Sequence, residues 1–256
     1  MKTAEEELTL ECDYEREAQA QERFRKLLID EPGVNVPAVI PEFSTKRVLT
    51  TCQVEGVSVD KLAEYHSLPG FEAAARNSVA FRLLRLCLRE LFEFRFMQTD
   101  PNWSNFLYDP KTGMLNLIDF GAARDFDRKF VGDYLRMVHA CANRDREAVL
   151  EYSRRMGFLT GDESRTMLDA HVEAAFIVGE PFATPGSYDF VKGNIPDRVG
   201  RLAGVMVRTR LAAPPREAYS LHRKLSGAFL TCKKLQAVIP CKDTFDEFYA
   251  KYKFQD

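Results

Sequence analysis

The chain has 256 residues, with 36 Lys and Arg against 38 Asp and Glu and a formal net charge of −2. Hydrophobic residues make up 45% of it, enough for a packed core and too many for a mostly disordered chain, and the near-neutral balance gives no ground for a nucleic-acid partner. No uncharged stretch approaches the roughly 18 residues of a membrane span, and the six cysteines (12, 52, 87, 141, 232 and 241) have no paired spacing, so neither a disulfide scaffold nor a zinc site is expected.

Met1-Lys2 followed by Glu5, Glu6 and Glu7 is neither a secretory signal nor an Arg-rich transit peptide. Residues 5–29, rich in Glu, Arg, Ala, Gln and Leu, predict a helix that stops before Pro32-Gly33. Two β-like runs follow, 34–43 with prolines at 37 and 41, and 47–54, the better strand. A short helix is expected at 59–66. Residues 71–97 form the strongest element, apolar on nearly every side between Val79 and Met97, as a buried core helix is. From Asp100 to Gly121 the pattern reads as loop, strand, turn at Lys111-Thr112-Gly113, strand at 114–118, and an acidic loop. Beyond Asp127 helices are predicted at 129–142, 144–156, 162–179, 198–211, 216–236 and 243–253, with breaks at 156–161 and Pro181–Pro196. The expected class is α+β, helix and strands followed by a mostly helical body.

The chemistry concentrates in Asp100-x4-Asn105, an apolar strand, and Asp119-Phe120-Gly121. Phosphoryl transfer from ATP needs the phosphates and their magnesium held in line with an acceptor more than it needs covalent help. Magnesium takes oxygen ligands, which a carboxylate and a side-chain amide supply. In protein kinases an Asp orients the acceptor, and an Asn five residues on and a later Asp-Phe-Gly hold the metal. Each piece alone is weak, since a turn Asp, a capping Asn and a strand-end Asp give the same letters. The spacing and the surrounding elements make the set specific. Gln98-Thr99 stands where kinases have His-Arg, no Ala-Pro-Glu follows, and Arg124-Asp125 runs almost directly into a helix, leaving little room for a peptide-binding segment. The histidines at 66, 139, 171 and 222 are not spaced as metal ligands.

Residues 97–106, Met-Gln-Thr-Asp-Pro-Asn-Trp-Ser-Asn-Phe, followed by Leu117-Ile118-Asp119-Phe120-Gly121, resemble the UbiB or aarF-type atypical kinase-like family. Further similar blocks are residues 11–18, residues 88–94, Gly179-Glu180-Pro181-Phe182, Tyr188-Asp189-Phe190, Arg210-Leu211 with Pro214-Pro215, and residues 219–224, so the resemblance covers nearly the whole chain. It implies a protein-kinase-like fold, with residues 1–56 a remnant of the small lobe and 57–256 the large lobe. It implies ATP or ADP with Mg2+, Asp100 as the catalytic residue, Asn105 and Asp119 as metal ligands, and Glu17, Glu11 and Asp13 as an acidic nucleotide-site helix. It also implies a mitochondrial role in coenzyme Q biosynthesis, alongside that pathway's proteins and a lipid or membrane surface.

From spacing alone the acidic helix could equally be a solvated helix start favoured by the dipole. No lysine precedes Glu17 except Lys2, and no strand lysine, Gly-rich or Ala-rich nucleotide loop or Lys-x-Gly-Gln motif is present, so the chain reads as the later half of a longer protein. Two other readings stay open: a catalytically dead fragment acting as a scaffold or lipid-binding module, and a small-molecule kinase of the choline or aminoglycoside type.

Overall fold

The structure is a computed structural model that describes residues 12–62, 72–100 and 102–254. Helix α1, Tyr14–Leu27, starts where the Asp13 side chain accepts the Arg16 backbone N–H at 3.1 Å. It is followed by β1, Val34–Asn35, then β2, Val57–Ser58, running into the short α2, Val59–Leu62. Helix α3, Ala73–Arg89, continues into a π-helical turn, Glu90–Phe94, and stops at Arg95, whose φ of 51° is left-handed. Strands β3, Phe96–Gln98, β4, Phe106–Tyr108, β5, Leu115–Leu117, and β6, Ala123–Asp125, follow in quick succession.

The second half is helical: α4, Arg128–Ala142, α5, Arg146–Arg155, α6, Arg165–Ala183, the short α7, Phe190–Gly193, α8, Ile195–Thr209, α9, Arg216–Lys234, and α10, Lys242–Lys251. Strands β7, Tyr188–Asp189, and β8, Val238–Ile239, pair between them. Among the described residues no helix is long and apolar enough to cross a membrane.

One sheet has the order β1-β5-β4-β2, with β1 parallel to β5 and the other pairs antiparallel. It therefore joins strands from either side of residue 56. A second pair, β3 with β6, sets Gln98 opposite Ala123. This is the expected α+β class, small sheets beside a helical body, and not a doubly wound parallel sheet.

Three expectations need correction. Residues 47–54 form no strand; the segment makes only isolated bridges, Val39 with Thr51 and Thr45 with Val48. Its β-branched residues favour extended backbone, but the prolines at 37 and 41 remove ladder donors from the facing segment. Residues 71–97 are not one helix, because the ladder gives way at the π-turn and Phe96–Gln98 find a strand partner. Helix α6 runs past the expected stop to Ala183, with Pro181 in its last turn.

That last stretch explains the Gly179-Glu180-Pro181-Phe182 block. A Cβ on Gly179 would lie 2.7 Å from the Cys141 carbonyl carbon, so glycine permits α4 and α6 to touch backbone to backbone. Glu180 accepts two 2.6 Å bonds from the Arg198 guanidinium of α8, a bidentate pair. Phe182 packs against Phe245 of α10, with ring centres 4.9 Å apart.

Candidate active site

The junction of α1 with the acidic loop is built on rings. Phe24, fully buried, lies 4.9 Å from the Phe96 ring and 5.1 Å from the Phe120 ring. Phe120 is thus the apolar peg that fixes the loop of residues 119–122 beneath α1. Arg23 stacks its guanidinium 3.8 Å from the Phe96 ring centre and pairs with Asp125 at 2.8 Å.

Polar contacts finish the seam. The Phe120 N–H donates to Glu17 Oε1 at 3.2 Å, and Arg16 donates to the carbonyls of Gly121, at 2.9 Å, and Ala123. The Gly121 N–H donates to Asp119 Oδ1 at 3.0 Å. Burial first, and then the neighbouring Asp119 carboxylate, push the Glu17 carboxyl above its ordinary range, against the pull of the Phe120 N–H. Two carboxylates face one another here, and among the described residues no lysine is paired with either.

Opposite them lies the loop of Asp100 and Asn105. The buried Asn105 donates its amide N–H to Asp100 Oδ2 at 2.8 Å, which leaves its Oδ1 oxygen with only the Ser104 hydroxyl at 3.5 Å. The Asn105 carbonyl accepts the Ile118 N–H at 3.1 Å, so the residue before Asp119 is tied to Asn105. Thr99 binds the Ala122 carbonyl twice, through N–H at 3.3 Å and hydroxyl at 2.9 Å. Gln98 is held from behind by the Lys224 ammonium at 3.1 Å. Gln98 and Thr99, which stand where kinases have His-Arg, therefore tie the start of this loop to α9 and to the Ala122 carbonyl.

The Asp100, Asn105 and Asp119 segments are thus hydrogen-bonded together, and Glu17 is brought to Asp119. Asp13 is exposed and its carboxylate caps α1; Glu11 lies outside the described residues. The oxygen donors left over, Asn105 Oδ1 and the Asp119 carboxylate, suit a hard cation. Among the described residues no group of three or more His, Cys, Asp and Glu converges.

Arg16 and Asn116 were not singled out by sequence reasoning. Arg16 looks like any basic residue on a charged helix, and its one signal is its place beside Glu17. Asn116, buried in a strand, accepts from Asn35 at 2.7 Å and donates to the Glu55 carbonyl at 2.9 Å. A buried polar residue between Leu115 and Leu117 was the signal there.

Comparison with known proteins agrees with this geometry. Residues 1–153 match the ABC1 atypical kinase-like domain. The chain is 50% identical over 252 residues to the Rattus norvegicus "Atypical kinase COQ8B, mitochondrial", covering 98% of this chain and 47% of that protein. It is 42% identical over 249 residues to the Saccharomyces cerevisiae "Atypical kinase COQ8, mitochondrial", covering 96% and 48%. The chain spans about half the length of the curated relatives it matches, and their names carry the mitochondrial compartment that the resemblance implied. A solved Mycobacterium tuberculosis structure, the Rv3197–erythromycin complex, shares the fold with a TM-score of 0.73 at 19% identity, over 93% of this chain and 58% of that one. The kinase-like sheet and helical body, the Asp-Asn-Asp loops and these relatives together place the chain in the ABC1 atypical kinase-like family.

Proposed function

We propose that this chain carries the metal and acceptor side of an atypical kinase or ATPase that supports coenzyme Q biosynthesis in mitochondria. In this reading residues 1–56 are a remnant of the small lobe and 57–256 the large lobe. Asp100 orients or deprotonates the acceptor, and Asn105 and Asp119 hold Mg2+ on the phosphates of ATP or ADP. When bound, the ion would neutralise the charge that Glu17 and Asp119 now place side by side. The carrying observation is the tie between the three segments: the Asn105 amide N–H is spent on Asp100, and the Asn105 backbone carbonyl holds Ile118, the residue before Asp119.

Adenine has a candidate ledge in Thr50–Glu55. Cys52 N–H is spent on Ala38, Thr50 C=O on Ile40, and Glu55 C=O on Asn116. Among the described residues the backbone groups of Gln53 and Val54 have no bonded partner, and a purine edge needs one donor and one acceptor of this kind. Glu11 and Asp13 stay as the acidic part of the same nucleotide site, with proteins of coenzyme Q biosynthesis and a lipid surface as partners.

A second reading has its own support. Among the described residues no lysine pairs with Glu17, as a scaffold or lipid-binding module with no turnover would tolerate. Titration of the chain with ATP by calorimetry, with and without Mg2+, separates the two. Weak or no binding is expected without a strand lysine. Micromolar, Mg2+-dependent binding that is lost in Asp119→Asn would remove the scaffold reading's main support, whereas binding unchanged in Asp119→Asn would overturn the metal assignment.

A further inference from the structure

On the far side of the Asp100 loop from Glu17, α9 reaches back 126 residues to the root of that loop. Lys224 is 3% exposed. Its ammonium lies 3.1 Å from Gln98 Oε1, 4.0 Å from the Glu90 carboxylate and 5.0 Å from the Phe106 ring centre. An ammonium has three N–H donors, and among the described residues only Gln98 takes one at hydrogen-bond distance. Among the described residues Gln98 Nε2 has no hydrogen-bond partner, and the fully buried Glu90 carboxylate has no side-chain one, only the Gln98 backbone N–H beside it. Open donors and acceptors therefore crowd around one point. Beside it is a cavity of about 20 Å3, lined by Lys224, Cys87, Val59, Ala228, Trp103 and Phe106. That is room for a water.

A buried ion pair of this sort adds little net stability over apolar packing, and a π-turn such as the one that carries Glu90 recurs at functional positions. We propose that Glu90, Lys224 and Gln98 form a proton-sensitive latch that positions the loop of residues 99–105. With Glu90 ionised, the ammonium is drawn to the carboxylate. With Glu90 protonated, it turns to Gln98 and a water in the cavity, and Phe106 and Trp103 move with it. The proton is exchanged with solvent, and no bond other than O–H is made or broken.

The reach to the loop is direct. Gln98 precedes Thr99 and Asp100, Lys224 lies on the Phe106 ring, and Lys234 of the same helix stands 4.5 Å over Trp103. The titratable groups facing Glu90 are Lys224 on α9 and the Cys87 thiol on α3, which burial pushes up to about 12 and keeps neutral. β3 contributes the uncharged Gln98. Burial pushes Glu90 up to about 7, with Lys224 and the Gln98 backbone N–H opposing, which puts its titration in the neutral range. The latch deepens the reading of this loop as the acceptor side of the site, but its test needs no nucleotide, so it can fail while that reading stands.

Trp103 is the single tryptophan of the chain, so its emission reports the loop alone. Emission of the whole chain should show one transition centred near pH 7. Glu90→Gln should abolish it. Lys224→Met should move it to higher pH, because the charge that holds the carboxyl down is gone. Where a variant does not fold, isotope-edited infrared spectra of the unaltered chain give the same answer, through a buried carboxylic C=O band that disappears as pH rises through neutrality. Emission and band that are flat across this range overturn the latch, as does the same transition persisting in folded Glu90→Gln.

Discussion

Glu17 adjoins the candidate site at the Asp119 loop and Glu90 at the root of the Asp100 loop, and burial raises both. They are held in opposite ways. Glu17 accepts a backbone N–H from Phe120 and, among the described residues, pairs with no lysine, whereas Glu90 has a lysine at 4.0 Å but no side-chain hydrogen bond to either oxygen. The first side is fixed by directional bonds and packed rings, and the carboxylate there awaits a positive partner. The second is held chiefly by Coulomb attraction in a buried interior, which is strong but does not fix a geometry. One side is a preset seat and the other is adjustable.

The strongest way to break the preset side is Phe24→Ala. The ring bridges Phe96 and Phe120 with no exposure, so its loss should cost about 3–5 kcal/mol in chemical denaturation. A loss below about 1 kcal/mol would show that α1 is not held to the acidic loop by this core.

On the adjustable side, Lys224→Met strands a buried carboxyl. Destabilisation of about 3–5 kcal/mol is expected where Glu90 would be ionised, and much less in Lys224→Met with Glu90→Gln. The pH dependence follows from the direction of the shift. The folded chain keeps the Glu90 proton up to about pH 7, whereas the unfolded chain loses it near the ordinary value of 4.5. Between those values the folded state binds more protons, so this group's contribution to stability is full below 4.5 and falls as pH rises through 7. Urea midpoints measured across that window should lose this slope in Glu90→Gln.

Arg16→Met tests the directional bonds alone. The guanidinium binds two carbonyls after Asp119 and stays outside the ring stack, so a loss of about 1.5–3 kcal/mol is expected. Amide exchange should rise at Gly121 and Ala123 and stay unchanged at β4 and β5. Faster exchange throughout the sheet would show that Arg16 supports the fold generally and not the loop.

Much of this arrangement could be read from the residues because the motifs are local. Asp100, Asn105 and Asp119 are brought together by one short strand pair, and the helices after Asp127 start at Asp127, Asp145 and Ser164 caps. The seams could not be read. Arg16 meets Gly121 across 105 positions and Lys224 meets Gln98 across 126, and nothing local in either stretch marks the partner. The π-turn at Glu90 was hidden because an apolar run continues unbroken through it, and residues 47–54 had a strand's composition without a neighbour able to complete a ladder.

The smallest expected effect concerns Asp13, which has two readings. By resemblance it belongs to the acidic nucleotide site; in the structure its carboxylate caps α1 through the Arg16 N–H. Asp13→Ala removes both roles and should cost about 1 kcal/mol of stability, the usual loss for a missing cap. Asp13→Asn keeps a side-chain oxygen for the cap and removes only the charge, so its stability should match the parent within about 0.5 kcal/mol. The two variants therefore separate the roles. If the charge serves the nucleotide site, Asp13→Asn weakens Mg2+-dependent ATP binding in a protein of unchanged stability. If both stability and binding are intact in Asp13→Asn and only Asp13→Ala is damaged, the acidic motif at this position is a helix start, and the negative charge that meets the metal comes from Asp119 and Glu17.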